Sequence, residues 1–172
     1  MKTLIYKTKF LILAIALVTV GCIEESPSVG DPFDRVGGLS GSWQLTKIIQ
    51  NDEDAIRKGF PEFAQSLDVT SMMSFTSYSL TLNVDGEGVP STFEVSDGGA
   101  PNFIGATSGT WSLDDPSKPA TISFEGGEDF EIETYLGLTE GILSLKFTRY
   151  ETTSKGEKKA FLSYEYQFTK NQ

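Results

Sequence analysis

Short segments in which apolar and polar residues alternate recur along the chain from residue 39 onward. The clearest runs from Tyr78 to Val84, where apolar residues occupy every second position between Ser, Thr and Asn. Such alternation is typical of a β-strand with one buried face. Turn-forming residues separate the segments, and no helical stretch of ordinary length lies between them. The pattern therefore predicts an antiparallel all-β fold rather than a parallel βαβ sheet.

The alternation and the turns together predict nine strands. Their expected ranges are 42–49, 70–75, 78–84, 90–96, 106–113, 120–124, 130–135, 142–150 and 160–169. The pattern breaks after the first strand, where Ala55, Ile56, Phe60 and Phe63 predict a short helical insert at about 54–66. Strands joined by short turns must cover their apolar faces and their edges. We therefore expect an up-and-down meander that closes into a barrel of eight to nine strands, with a two-sheet sandwich as the alternative.

The composition narrows the chemistry that this barrel can support. The 172 residues include no His and a single Cys, and the formal net charge is −10. Without His there is no His-based acid–base catalysis and no His-ligated metal. A single Cys excludes a disulfide within the chain, and the negative charge opposes binding to a phosphate backbone. We expect no cofactor, no metal ion and no nucleic-acid partner.

One set of carboxylates invites comparison with an active site. Glu131 and Glu133 fall on the same face of the seventh predicted strand. A glycosidase needs two carboxylates about 5–10 Å apart across a cleft. Phe130 and Ile132 alternate with the two glutamates, and we expect these apolar residues to lie on the inward face. We interpret the glutamates as part of a solvated outer face, and we expect a protein without catalytic residues.

The first residues have the features of a secretory signal. Three Lys residues lie within residues 1–9, and an apolar run follows at 10–20. That run is too short to cross a hydrocarbon core of about 30 Å as a permanent helix. The only cysteine, Cys22, comes directly afterwards, and the segment 18–22 (VTVGC) resembles the lipobox of bacterial lipoproteins. This resemblance implies cleavage before Cys22 and attachment of acyl chains such as palmitate to that residue.

Together with the strand pattern, this resemblance predicts three parts of the chain, and it also implies a location. The parts are a lipoprotein signal peptide at 1–21, a lipidated flexible tether at 22–38 and a barrel domain at 39–172. Ile23 stands where Asp would mark retention at the inner membrane, so we expect an outer-membrane lipoprotein of the cell envelope. Glu24 and Glu25 resemble the acidic export tag of surface lipoproteins in Bacteroidetes-type bacteria. They fit a solvated tether equally well, so the periplasmic side and the cell surface both remain open.

A second resemblance concerns the start of the barrel. Gly41-Ser42-Trp43 opens the first strand, and it resembles the G-x-W signature of lipocalins and related calycins. The whole of 39–170 also resembles the lipocalin-like domains of unknown function in small bacterial surface lipoproteins. The resemblance implies that Trp43 packs across the closed end of the barrel and that a basic side chain from a late strand stacks on it. Arg149 is the first candidate for this side chain, and Lys170 is the second.

Aromatic residues on the inward register either fill the barrel or line a cavity. The candidate lining residues are Tyr78, Phe93, Trp111, Phe124, Tyr164 and Tyr166. Met72 and Met73 are candidates for an adaptable lid over the open end or for a plug in it. The function that we favour is non-catalytic binding of a small apolar or amphiphilic ligand, with the membrane contacted only through the lipid anchor. The alternative is a filled barrel that acts as a scaffold and docks an envelope protein partner.

Overall fold

Nine antiparallel strands form the fold in the computed structural model, which describes residues 33–171. The strands are β1 Gly41–Asp52, β2 Ser66–Asp68, β3 Ser79–Val84, β4 Pro90–Ser96, β5 Ser108–Leu113, β6 Thr121–Phe124, β7 Asp129–Thr134, β8 Ile142–Thr152 and β9 Lys158–Lys170. The α-helices are α1 Arg35–Leu39, α2 Glu53–Arg57 and α3 Glu62–Gln65. Two short 3₁₀ helices span Phe75–Ser77 and Leu136–Glu140.

Eight of these strands close into a barrel. Consecutive strands from β3 to β9 pair with one another, and β1 joins the two ends because it pairs with both β3 and β9. The remaining strand, β2, pairs with the second half of β1. The predicted up-and-down barrel is thus confirmed, with eight strands in the closed ring and one beside it. Residues 33–171 contain every barrel strand and the apolar core, as an independently folding unit requires.

A bulge in β1 decides which of its side chains face inward. Trp43 and Leu45 are buried, and the pairing with β9 shifts register between Leu45 and Lys47. One extra residue at a bulge reverses the alternation beyond it. As a result Ile48 is buried although it lies an odd number of positions after Leu45. Strict alternation would have turned Ile48 outward.

The predicted strand at 70–75 is wrong. This stretch forms turns that lead into the 3₁₀ helix at Phe75–Ser77, and the second strand is the three-residue β2 instead. The Asp68 side chain accepts a hydrogen bond from the Thr70 backbone N–H at 3.0 Å, and the Met72 N–H bonds to the Val69 carbonyl. These local bonds compete with a strand ladder. Residues 76 and 77, which separate the predicted strands 70–75 and 78–84, therefore belong to a 3₁₀ helix and not to a hairpin turn.

The helical insert is confirmed, and α2 packs on the outside of the barrel. The Asp52 side chain caps α2 by accepting the N–H groups of residues 54 and 55. Glu53 accepts the hydroxyl of the buried Ser163 at 2.7 Å, and Asp54 forms ion pairs with Arg57 and Lys159. The basic groups hold the pKa of the Asp54 carboxyl at about 2. All three consecutive carboxylates at 52–54 thus interact with groups of the protein itself.

The expected tether at 22–38 ends earlier than the sequence indicated. The Asp34 side chain caps α1 by accepting the Gly37 N–H at 2.9 Å. The guanidinium of Arg35 lies 5.1 Å from the ring centroid of Tyr135, and Leu39 is fully buried. The segment from Asp34 onward therefore belongs to the folded domain, whose boundary moves from residue 39 to about residue 33.

Several predictions concern residues outside the described range. The signal peptide, Cys22 and the first part of the tether fall within 1–32, so they remain predictions. Among the helices of residues 33–171, none has the length and apolar character needed to cross a membrane.

Candidate functional site

Trp43 lies at one end of the barrel and is completely buried. Its indole N–H donates a hydrogen bond to the Leu39 carbonyl at 2.8 Å. The Lys170 ammonium lies 5.1 Å from the ring centroid, because Lys170 pairs directly with Trp43 across β1 and β9. The first candidate for the stacking cation, Arg149, is therefore wrong. Arg149 pairs with Leu162 and belongs to the opposite end of the barrel.

Four of the six candidate lining residues fill the barrel interior. Tyr78, Phe93, Trp111 and Phe124 are all buried in the core. The Trp111 indole N–H donates to the Asn83 carbonyl at 2.7 Å. The rings of Phe93 and Phe124 meet edge to face, with centroids 4.9 Å apart. These residues stabilise the fold, and none of them lines the cavity described next.

The end opposite Trp43 holds a cavity of about 440 Å³. From Trp43 to Gln50 the first strand covers about 23 Å at roughly 3.3 Å per residue, which places the cavity a barrel length from the closed end. Its aromatic lining residues are Phe75, Phe103, Phe147, Tyr164 and Tyr166. Its other apolar lining residues are Ile48, Val69, Met72, Met73 and Pro101. The polar lining residues are Gln50, Asn102, Glu128 and Arg149.

Phe103 joins the cavity wall to the core. Its ring stacks on Tyr78 with a centroid distance of 4.3 Å and on Tyr166 at 4.0 Å. Tyr166 continues the column to Tyr164, whose centroid lies 6.2 Å away. The four rings thus run from the interior of the barrel to the cavity. Because packed rings leave little freedom to collapse, this wall is largely formed before any ligand arrives.

Asn102 fixes the loop that carries Phe103. Its side-chain oxygen accepts the Tyr78 hydroxyl at 3.0 Å and the Ile104 N–H at 3.1 Å. Its amide donates to the Ala106 carbonyl at 3.0 Å. The Glu128 N–H bonds to the Ile104 carbonyl, which ties this loop to the turn before β7. These hydrogen bonds hold the loop, and with it Phe103, in place although the loop is not part of a strand.

Several polar groups on the cavity wall have no partner within residues 33–171. The hydroxyls of Tyr164 and Tyr166, the amide of Gln50, the Arg149 guanidinium and the Glu128 carboxylate make no side-chain hydrogen bond or ion pair there. Burial raises the pKa of Tyr166, which keeps its hydroxyl protonated and able to donate. The cavity therefore combines an apolar wall with a few polar groups free to contact a ligand.

The two methionines form part of the cavity rim. Met72 and Met73 both line the cavity, and their exposed fractions are 58% and 57%. The turn that carries them takes the place of the wrongly predicted strand. Flexible thioether side chains on such a turn can adjust to ligands of different shape. This position agrees with a lid more closely than with a plug, since a plug would be buried.

The paired carboxylates lie outside the barrel. Glu131 and Glu133 are exposed, and they alternate with the buried Phe130 and Ile132. Partial burial, with the nearby Glu165 carboxylate, raises the pKa of Glu133, and the Lys146 ammonium opposes this rise. Neither glutamate lines the cavity. The arrangement is that of a solvated sheet surface.

The sequence pattern missed Phe103, Asn102 and Glu128. All three lie in loops or turns, where alternation gives no signal. The position of Arg149 could have been predicted from the topology. In a closed antiparallel meander the end of β9 meets the start of β1, which brings Lys170 near Trp43 and leaves Arg149, near the end of β8, at the other end of the barrel.

The protein is thus an eight-stranded antiparallel barrel. It has a buried Trp at one end and a cavity with aromatic walls at the other. A family model described as a domain of unknown function (DUF5004) matches residues 21–169. The chain belongs to this family. No curated protein and no solved structure was found to match the chain.

Proposed function

We propose that this protein binds a small apolar or amphiphilic molecule in the cavity at the open end of its barrel and that it catalyses no reaction. The observation that supports this function is the cavity of about 440 Å³ with five aromatic side chains in its wall. Ligand sites generally have volumes of about 300–1,000 Å³ and largely apolar walls with few polar groups. The cavity fits that description in both size and lining.

Binding would derive mainly from burial of apolar surface. Each Å² of apolar area removed from water contributes about 25 cal/mol, before the cost of immobilising the ligand. The stacked Phe103 and Tyr166 rings present a wall that needs little rearrangement. Met72 and Met73 at the rim can close over the bound molecule. Affinity would then follow the apolar area that the ligand buries.

Native mass spectrometry of residues 33–172, incubated with a bacterial lipid extract, tests this function. We expect a defined mass adduct that survives gentle desolvation. Tyr164→Ala removes a cavity wall and should abolish the adduct, whereas Tyr150→Ala, the same change at an exposed tyrosine outside the cavity, should leave it intact. A bare protein mass across the whole extract would count against ligand binding.

We also propose that the protein is a lipoprotein of the outer membrane, anchored through acyl chains on Cys22. The support is the lipobox-like segment 18–22 and the position of the only cysteine directly after an apolar run. Several acyl chains give stable anchoring, because each buried CH₂ contributes about 0.8 kcal/mol. The chain's net negative charge opposes adsorption to anionic headgroups, so the anchor would be the sole membrane contact.

Cys22→Ser tests the anchor in cells. We expect the wild-type protein in the membrane fraction and the Cys22→Ser protein in the soluble fraction. Metabolic labelling with an alkyne-bearing palmitate analogue should mark the wild type alone. Equal membrane partitioning of the two proteins would contradict the proposal.

A scaffold function is the second candidate, and the helical insert favours it. Phe63 is 87% exposed, and Phe60 on the same insert and Leu67 in the adjoining β2 are about half exposed. Exposed apolar side chains close together are typical of protein-binding surfaces. If Phe63→Ser abolishes cross-linking to an envelope protein and leaves ligand binding unchanged, the scaffold function gains support.

A further inference from the structure

The mouth of the cavity carries two opposite charges that do not pair with each other. Arg149 and Glu128 both line the cavity and are both exposed. Glu128 lies in the turn before β7, and Arg149 lies on β8, the strand that pairs with β7. No ion pair joins the two side chains within residues 33–171. The guanidinium is therefore available to another anion.

Arg149 adjoins the aromatic wall as well as the solvent. Its positive charge acts on the neighbouring Tyr166 hydroxyl, where it opposes the rise in pKa that burial causes. Phe147 precedes it on the same face of β8 and also lines the cavity. A molecule whose apolar part lies against Phe147 and Tyr166 would thus bring its end group to the guanidinium.

The uncharged polar groups of the wall favour the same kind of end group. The hydroxyls of Tyr164 and Tyr166 and the amide of Gln50 can all donate hydrogen bonds. The guanidinium offers five donors in a planar fork that matches a carboxylate. Glu128 is the one group that only accepts when ionised. Hydrogen-bond donors on the cavity wall therefore outnumber the groups that can only accept. A ligand end group that accepts hydrogen bonds and carries a negative charge fits this wall.

We propose that the ligand is an amphiphile with an anionic head group, and that Arg149 binds this head group at the mouth while the apolar chain lies in the aromatic cavity. This inference rests on the proposed ligand-binding function and specifies its ligand class. Glu128 then acts against binding, because its carboxylate repels the head group. Removal of that charge should strengthen the binding of an anion.

Isothermal titration calorimetry with three amphiphiles of equal chain length tests this inference on residues 33–172. The probes are dodecanoate and dodecyltrimethylammonium, each below its micellar concentration, and dodecanol below its solubility limit. We expect dodecanoate to bind about tenfold more tightly than the other two, as for one exposed charge-assisted contact. Arg149→Met should remove this advantage, so that the variant binds dodecanoate no more tightly than it binds dodecanol. Glu128→Gln, the matched control, should tighten dodecanoate binding.

The outcomes separate the two proposals. Equal affinity for all three probes, with no effect of Arg149→Met, would overturn the head-group inference and leave the ligand-binding function standing. The tightest binding for dodecyltrimethylammonium, lost on Glu128→Gln, would overturn it as well. If none of the probes binds the folded protein, the ligand-binding function itself fails. Both substitutions are at exposed positions, so unchanged urea-unfolding midpoints verify that the variants fold.

Discussion

Trp43→Ala is expected to lower the free energy of unfolding by about 3–5 kcal/mol, the cost of truncating a buried aromatic residue. The Trp43 ring is inaccessible to solvent, so its truncation leaves a cavity in the core at this end of the barrel. The substitution also leaves the Leu39 carbonyl without its indole donor. An unpaired buried carbonyl adds to the loss. Trp43 would therefore be a main contributor to the stability of the closed end.

Equilibrium unfolding of residues 33–172 in urea measures this effect. Trp43→Phe keeps an aromatic ring but removes the indole donor, so we expect an intermediate loss. Lys170→Met keeps the alkyl chain and removes the cation over the ring, which should cost about 0.5–1 kcal/mol at this partly exposed site. A loss below about 1 kcal/mol for Trp43→Ala would refute the closed-end role.

Phe103→Ala is expected to cost about 3 kcal/mol, near the lower end of the range for aromatic truncation, since Phe103 is only partly buried. Its ring lies between Tyr78 and Tyr166, and each stacked pair contributes about 0.5–1.5 kcal/mol beyond area burial. The substitution should also enlarge the cavity and weaken ligand binding. One loop residue would thus support both the fold and the site.

Phe63→Ala is the matched control for this substitution. It removes the same ring from a side chain that is 87% exposed, so the free energy of unfolding should change by no more than about 0.5 kcal/mol. Urea unfolding of the two variants side by side gives the comparison. Equal effects would show that Phe103 does not join the loop to the core as the stacking geometry indicates.

The architecture could be predicted from the sequence because local pattern and global fold agree over most strands. The strand predicted at 90–96 is β4, Pro90–Ser96, and most of the others differ only at their ends. The error at 70–75 arose where Asx-type hydrogen bonding from Asp68 outweighs the strand propensity of a few apolar residues. The bulge after Leu45 could not be predicted either, because the alternation of residue types does not show where the pairing register shifts.

The cavity could be predicted only in part. Tyr164 and Trp111 both lie on inward registers, yet one lines the cavity and the other fills the core. Whether an inward side chain lines the cavity or fills the core depends on its position along the barrel axis. That position follows from the strand pairing and not from the residue type. Phe103 and Asn102 come from a Gly- and Pro-containing loop, where the fold rather than the local pattern sets their position.

The central claim is that an apolar ligand enters the end of the barrel opposite Trp43. The chain contains only three methionines, and residues 33–172 retain two of them, Met72 and Met73, both at the cavity rim. Its two tryptophans, Trp43 and Trp111, are both buried away from the cavity. NMR of ¹³C-methyl methionine and of the indole N–H groups therefore reports on the two regions separately.

A titration with dodecanoate is the most direct test. If the ligand enters the end opposite Trp43, both methionine methyl resonances should show saturable shifts and the Trp43 indole resonance should stay almost unchanged. Methionine resonances that stay fixed while the Trp43 indole shifts would place the ligand at the wrong end of the barrel and contradict the account.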